Sequence, residues 1–123
     1  MTIYRFELPV KLTSEANSSD YWTKKKKRKD AQKVYIDLYC KNLIQDIILP
    51  CTITLIRRSP RQFDDDNLTI AFKTIRDRLA QLLFPGSKPG QKDSDKRIKW
   101  IYLQEKNIIP KQHSIIIQIE DVS

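Results

Sequence analysis

The chain has 123 residues, of which 40% are hydrophobic and 31% charged, and this composition excludes disordered and membrane-embedded classes of protein. The length suits one domain over residues 1–123, and no apolar stretch reaches the roughly 20 residues that span a bilayer, so we expect a cytoplasmic protein without a membrane partner. The formal net charge of +8 favours a polyanion, with nucleic acid first, over acidic or neutral small molecules, and no organic cofactor is expected.

The first half of the sequence predicts a strand, a loop, a long helix and a second strand. Tyr4, Phe6 and Leu8 alternate with charged residues, which is typical of a half-buried strand. Residues 13–20 lack periodicity and read as a surface loop. Ile53 and Leu55 alternate with Thr52 and Thr54 in the segment 51–57, which is rich in β-branched residues and predicts the second strand. Between them, residues 21–43 predict a helix with one buried stripe, consisting of Ala31, Val34, Tyr35, Leu38 and Tyr39.

The second half predicts another helix and two more strands. The apolar residues spaced for the helix are Leu68, Phe72, Ile75, Leu79 and Leu82. Asp66 or a near neighbour is placed to cap the start of this helix, and Pro85 and Gly86 end it. A loop containing Pro89 and Gly90 follows, and residues 98–105 and 114–120 predict strands joined by a turn near Pro110.

The element order is therefore β-α-β-α-β-β, an α+β fold with one mixed or antiparallel sheet and two helices. Cys40 and Cys51 have no metal-ligand spacing, and His113 is the sole histidine, so we expect free buried thiols and no zinc site. The last strand carries isoleucine on both faces, at Ile115, Ile116, Ile117 and Ile119. Such a strand is either central in the sheet or part of a contact with a second copy.

A basic run opens the first predicted helix. It comprises Lys24, Lys25, Lys26, Lys27, Arg28 and Lys29, with Tyr21 and Trp22 immediately before it. Positive charge is unfavourable at a helix N-terminus, so helix stability does not explain the run. Phosphate binding by these cations and base stacking by Trp22 would explain it. The alternatives are a solvated helix start or a nuclear-import signal.

Three adjacent carboxylates, Asp64, Asp65 and Asp66, precede the second predicted helix. N-capping explains one or two of them but not three. Backbone alternation is expected to turn Asp64 and Asp66 to one side, where Mg²⁺ would offset their repulsion. Asp93, which lies near Asp95 in the later loop, is expected to fold over this helix start and complete the metal site.

Lys73 lies two helical turns beyond Asp66 and on the same predicted face. A lysine at this place would neutralise charge that develops on a phosphoryl group during transfer. The alternative is a solvent-facing ion pair with Asp77, four residues further along the helix.

The run from Asp64 to Leu68, with the pattern D-x-D-N-L, is followed by a lysine-bearing helix, a loop with Asp93 and then Ile98-Lys99-Trp100. Together these features resemble the RusA-type Holliday-junction resolvases, most closely their phage-borne members, over most of the chain. The resemblance implies a homodimeric, Mg²⁺-dependent endonuclease that cuts four-way DNA junctions. It also implies that Asp64, Asp66 and Asp93 match the three essential carboxylates of that family.

The chain departs from the family pattern at two positions and in one loop. Ile70 stands where the family lysine follows the second aspartate, so Lys73 is a displaced substitute. The later acidic pair of the family is here Lys92 and Asp93. The loop over residues 85–91 is longer than is typical.

Three functions therefore remain open at the level of sequence. The first is a junction-resolving nuclease, in which the carboxylates hold Mg²⁺ and the lysines hold DNA. The second is a non-catalytic binder of branched DNA whose Asp cluster only caps a helix. The third is a nuclease for flapped DNA or for RNA, because no motif for reading bases is present.

Overall fold

The computed structural model describes residues 1–14, 21–88, 90–106, 109 and 112–122. Its elements in chain order are β1 (Thr2–Leu8), α1 (Trp22–Ile44), β2 (Cys51–Ser59), α2 (Asp65–Ala71), α3 (Lys73–Leu83), β3 (Ile98–Lys106) and β4 (Ser114–Asp121). The predicted α+β class, the single sheet and the four strands are confirmed. Most of the predicted loop at 13–20, Pro89 and the turn at Pro110 lie outside the described residues.

The predicted count of two helices, and with it the order β-α-β-α-β-β, is wrong. The second predicted helix is divided at Phe72 into α2 and α3. The backbone of Phe72 has φ −86° and ψ −2°, away from ideal helical values but still in the right-handed region. The Phe72 N–H donates to the Leu68 carbonyl, and the Phe72 carbonyl accepts from the Arg76 N–H, so the break is a local kink. The fully buried Phe72 ring lies at that kink.

The four strands form one mixed sheet in the order β1-β4-β2-β3. β2 and β3 are parallel, whereas β4 runs antiparallel to both β1 and β2. Ile117 of β4 pairs with Phe6 of β1 on one side and with Leu55 of β2 on the other. β4 is central in the sheet, and its four isoleucines are inaccessible within one subunit, which corresponds to the first of the two alternatives that the sequence left open.

All three helices contribute to one hydrophobic core on a single face of the sheet. The strand residues in this core include Leu8, Ile53, Leu55, Ile115, Ile117 and Ile119, and the helix residues include Ile36, Cys40, Ile44, Phe72, Ile75 and Leu79. Ile56 and Ile116 are also buried, but they belong to the alternate residues of their strands and lie outside this core. The fold is therefore a two-layer arrangement of helices on a sheet.

The predicted buried stripe of α1 is wrong. Of its five residues, Val34 and Leu38 are 56% and 73% exposed, Ala31 and Tyr39 are not part of the core, and only Tyr35 packs partly against it. The buried residues of α1 are Gln32, Ile36, Cys40 and Ile44, which are spaced four apart. The helix carries two apolar stripes, and the one that packs against α3 is the narrower. The other stripe faces outward.

A matched pair of substitutions tests which face of α1 is buried. Ile36→Ala should lower the free energy of unfolding by about 2–5 kcal/mol, because it leaves a cavity beneath α1. Leu38→Ala should change it by about 0.5 kcal/mol or less, as is usual for an exposed position. Urea unfolding of both variants at low protein concentration measures the difference, and equal losses of stability would contradict the assignment.

Cys40 and Cys51 are free and buried, as predicted. Burial, with a smaller contribution from Asp37, raises the pKa of the Cys40 thiol to about 12. Burial, with a smaller contribution from Asp121, raises the pKa of Cys51 to about 11. Both therefore stay protonated and unreactive at neutral pH. In the described parts of the chain, no helix combines the length and apolar character needed to cross a membrane.

Candidate nucleic-acid interface

The N-terminus of α1 presents aromatic and basic side chains to solvent. Tyr21 is the N-cap residue, and its side chain makes no capping hydrogen bond. The first turn of α1 contains no acidic residue. Tyr21 and Trp22 are 80% and 72% exposed, so neither ring anchors the core. Two large exposed rings at an uncapped helix start suit stacking on unpaired bases better than they suit folding stability.

The six residues of the basic run are spread around the helix. Lys24, Lys26, Lys27 and Lys29 are exposed, while Lys25 and Arg28 are half-buried. Lys26 pairs with Asp30 one turn later at 3.2 Å, in a surface-exposed i,i+4 arrangement that contributes little to stability. The stability of the fold therefore does not account for the charge of the run.

A groove of about 270 Å³ separates α1 from α2 and α3. Lys29 and Lys33 line it from α1, while Ile70, Lys73 and Arg78 line it from α2 and α3. Arg78 is neutralised by Asp37, which accepts two hydrogen bonds of 2.8 Å from its guanidinium. Asp77, which also lines the groove, likewise pairs with Lys73, so Lys29 and Lys33 are the excess cations. The groove thus continues the positive surface of the basic run between the helices.

Lys73 forms an ion pair with Asp77, with 3.5 Å between Nζ and Oδ2. This ion pair is the alternative to a role in phosphoryl transfer that the sequence indicated for Lys73. The Lys73 side chain is 68% exposed, so the pair leaves it accessible to a ligand. Asp77 is more enclosed, and burial raises the pKa of its carboxyl, with Asp93 as a further cause. Its Oδ1 atom is buried and has no hydrogen-bond partner among the described residues.

The three adjacent aspartates lie at the start of α2. Asp64 is the N-cap residue, and its Oδ1 atom accepts a hydrogen bond of 2.9 Å from the Asn67 N–H. Asp65 and Asp66 already belong to the first helical turn, and all three side chains are exposed. The expected strand-like alternation of Asp64 and Asp66 is therefore wrong. Their carboxylates nevertheless belong to residues within one turn of each other.

Asp93 packs against Arg76, near the start of α3, rather than at the start of α2. Its Oδ2 atom lies 3.3 Å from Nε of Arg76, and its backbone carbonyl accepts hydrogen bonds from Arg76 and from the Trp100 indole. Arg76 follows Asp66 by ten residues, which corresponds to about 15 Å along a helix. The structure thus places Asp64 and Asp66 at the start of α2, and Asp93 beside Arg76 and Asp77.

The arrangement fits Mg²⁺ in part. Over the described ranges, no group of three or more His, Cys, Asp or Glu side chains is close enough to hold a metal ion. Mg²⁺ needs only one or two protein carboxylates, with water and substrate oxygens completing its octahedron. Asp64 keeps one oxygen outside its capping hydrogen bond and the Asp66 carboxylate is exposed, so each carboxylate is open to such a cation.

Two of these cationic residues, Lys33 and Arg76, were not predicted from the sequence. Lys33 lies one turn from Lys29, so the i,i+4 spacing would have extended the basic surface along α1. Arg76 has no comparable signal, because its contacts with Asp93 and Trp100 join parts of the chain that are distant in sequence. Ile70, which stands at the position of the family lysine, is 47% exposed and lines the groove without charge.

A scan of the chain against models of protein families finds no match, and a search of curated proteins finds none either. The similarity to RusA-type resolvases therefore rests on the D-x-D-N-L run, the basic helix and Asp93.

Proposed function

We propose that the protein is a Mg²⁺-dependent endonuclease that cuts branched DNA of the four-way junction type in the cytoplasm. The observation that carries this proposal is the proximity of the acidic start of α2 to the cationic groove. Asp66 lies one helical turn from Ile70, and Ile70 lines the groove that holds Lys29, Lys33 and Lys73. A phosphate backbone held by those lysines would pass within reach of the carboxylates.

The basic groups would bind DNA without reading its sequence. Lys24, Lys27 and Lys29 are exposed and point to a ligand with closely spaced negative charges. Tyr21 and Trp22 favour a substrate that offers unstacked bases, as a junction does at its crossover. Together these features favour branched or partly single-stranded DNA over a uniform duplex.

The carboxylates would hold the metal and position it against the backbone. Asp64 and Asp66 would ligate Mg²⁺, which when bound polarises the scissile phosphate and activates a water. Lys73 would offset negative charge on the phosphate at the edge of the groove. Asp93 would join the site only after it releases Arg76, which would then become available to a DNA phosphate.

A second candidate, a non-catalytic binder of branched DNA, is favoured by one observation. Asp64 caps α2 through a hydrogen bond to the Asn67 N–H, and this accounts for one carboxylate of the motif without a metal. Acidic residues in the first helical turn also interact favourably with the helix dipole. Under this candidate, the basic run and the groove keep their roles and the chemistry is absent.

Incubation of the protein with labelled four-way junction, flap, duplex, single strand and RNA, each with Mg²⁺ and with EDTA, separates these functions. We expect cutting of the junction with Mg²⁺ and binding without cutting in EDTA. Binding without cutting in Mg²⁺ would support the second candidate. Faster cutting of flaps or RNA than of junctions would replace the proposed substrate.

We also propose that the active form is a homodimer, because paired cuts on a pseudo-twofold junction require two equivalent sites. The outward apolar stripe of α1, with Val34 and Leu38, is a surface that a second copy would cover. Sedimentation equilibrium should give a species of twice the 14.6 kDa monomer mass. Leu38→Asp should shift it toward monomer, while Lys99→Asp on β3 should not. A monomer at all concentrations, with and without junction, would contradict paired cutting.

A further inference from the structure

A cavity of about 580 Å³ lies beside the ends of β1 and β2, away from the groove between the helices. Its lining comes from the segment after β1, from β2, from the segment that leads into α2, and from the residue before β4. The polar and charged residues that line it are Lys11, Thr13, Ser14, Arg57, Arg61 and His113. None of the described residues that line this cavity is acidic, and the charged ones among them are basic.

Arg57 is a buried cation without an anionic partner among the described residues. It is 4% exposed, and burial lowers the pKa of the guanidinium, which nevertheless stays protonated at neutral pH. The groups that contact it are neutral: the Arg61 carbonyl, the Gln104 amide oxygen at 3.4 Å and the Phe63 ring, whose centroid is 3.6 Å from Cζ. Within the part of the chain that the structure describes, no carboxylate pairs with it.

An uncompensated buried charge is costly, and proteins normally place a counter-ion or a ligand against it. Nε of Arg57 and Oγ of Ser14 are both buried without a hydrogen-bond partner in the described ranges. Lys11 and Arg61 add two exposed cations at the rim of the same cavity. These features are typical of an anion-binding site and not of a core in which every buried charge is paired within the protein.

His113 faces this positive environment. Its Nδ1 atom is hydrogen-bonded to the Ser59 hydroxyl, which leaves Nε2 as the second polar atom of the ring. Burial lowers the pKa of the imidazole, and the charges of Lys11 and Arg57 lower it further. His113 is the only histidine of the chain, so its ring is an unambiguous reporter of charge in the cavity.

We propose that this cavity binds a phosphate group, held between Arg57, Arg61 and Lys11. Phe63 and Pro60 also line the cavity and offer apolar surface to the sugar or base attached to the phosphate. A phosphate carried by a nucleotide is therefore a better match than a free inorganic ion. Phosphate binding at this cavity requires neither a metal ion nor nuclease activity.

Phe63 directly precedes Asp64, so the cavity adjoins the acidic start of α2, whereas the groove is reached through Ile70 one turn beyond Asp66. A phosphate bound in the cavity would therefore lie close to the carboxylates at the start of α2. The cavity would thus give the proposed nuclease a second phosphate-binding site for its substrate.

The test follows the ring signals of His113 by NMR in EDTA, during titration with inorganic phosphate, thymidine 5′-monophosphate and thymidine. Inorganic phosphate and thymidine 5′-monophosphate should each raise the pKa of His113 by about one pH unit, because a nearby anion favours the imidazolium. The nucleotide should produce this change at a lower concentration than inorganic phosphate. Thymidine should leave the pKa unchanged. An unchanged pKa with both phosphates, or an effect of thymidine alone, would overturn the proposal.

Arg57→Gln removes the charge and keeps a hydrogen-bond donor, and it should weaken phosphate binding by about tenfold or more. The matched control is Arg58→Gln at the next residue of β2, where Arg58 pairs with Glu7 and Glu105, and it should bind phosphate normally. Thermal unfolding checks both variants. If Arg57→Gln does not fold, Lys11→Gln combined with Arg61→Gln replaces it, and unchanged binding by that variant would overturn the proposal.

Two oligonucleotides distinguish the source of the phosphate. Thymidine pentanucleotides with and without a 5′-phosphate are titrated against His113 in the same way. Equal effects identify a backbone phosphate as the ligand, and an effect of the phosphorylated form alone identifies a strand terminus. No effect of either, together with no effect of inorganic phosphate, contradicts the site.

Discussion

Asp66→Asn should reduce Mg²⁺-dependent cutting of junction DNA by about 100-fold or more, because the metal contributes several kcal/mol to transition-state stabilisation. Junction binding in EDTA should be unchanged or tighter, since a carboxylate close to the phosphates repels DNA when no metal is bound. The fold should persist, because Asp66 is exposed and the loss of its favourable interaction with the helix dipole costs only about 0.3–1 kcal/mol. Single-turnover cleavage and electrophoretic mobility shift measure the two effects.

The matched control is Asp65→Asn, in the same helical turn and also exposed. Its carboxylate is outside the proposed metal pair, so its cutting rate should stay within a few-fold of the unsubstituted protein. If the two variants become equally inactive, the effect reflects net charge at the helix start and not metal binding. If Asp66→Asn cuts at the normal rate, the interpretation of the D-x-D run as a metal site is wrong.

Changing Lys25, Lys26 and Lys27 together to Ala should weaken binding to every nucleic acid tested. For duplex DNA, the slope of log affinity against log salt should flatten by about 0.9 for each phosphate that the variant no longer neutralises. Loss of all three contacts would therefore flatten the slope by about 3. Stability should hardly change, because the ion pair of Lys26 with Asp30 is on the surface. Fluorescence anisotropy at several salt concentrations measures the slope.

A second triple variant, Lys88, Lys96 and Lys99 to Ala, removes the same charge from positions outside α1. It should lower affinity only slightly and leave the slope nearly unchanged. An equal effect of both triple variants would mean that overall charge governs binding. An unchanged slope in the α1 variant would identify the basic run as a solvated helix start.

The strands were the most predictable part of the fold. Alternation in Tyr4, Phe6 and Leu8 and the β-branched run after Cys51 have a period of two, which is the period of a strand. The buried face of α1 was not predictable in the same way. Two apolar stripes coexist on that helix, and the packing against α3, which sequence periodicity does not contain, selects Ile36 and Cys40 over the outward stripe.

The candidate site was likewise predictable only where the signal is local in sequence. The exposed Lys and Asp clusters were visible because runs of like charge within a few residues need no knowledge of tertiary structure. Asp93 was not placed correctly, because its position depends on Arg76 and Trp100, two residues that meet only after the loop folds onto α3. The cavity around Arg57 gave no signal, since an arginine in a strand reads as an edge or surface residue.

The central position of β4 has a consequence for how the protein is made. β1 and β2 do not pair with each other, and each is bonded to β4 in the finished sheet. On the ribosome, β1 and β2 emerge before β4, the partner that they share, and until then β1 and one side of β2 expose unpaired backbone groups. Folding must wait for Ser114–Asp121, so contacts distant in sequence set its rate, and a nascent chain stalled before that segment would be prone to aggregate.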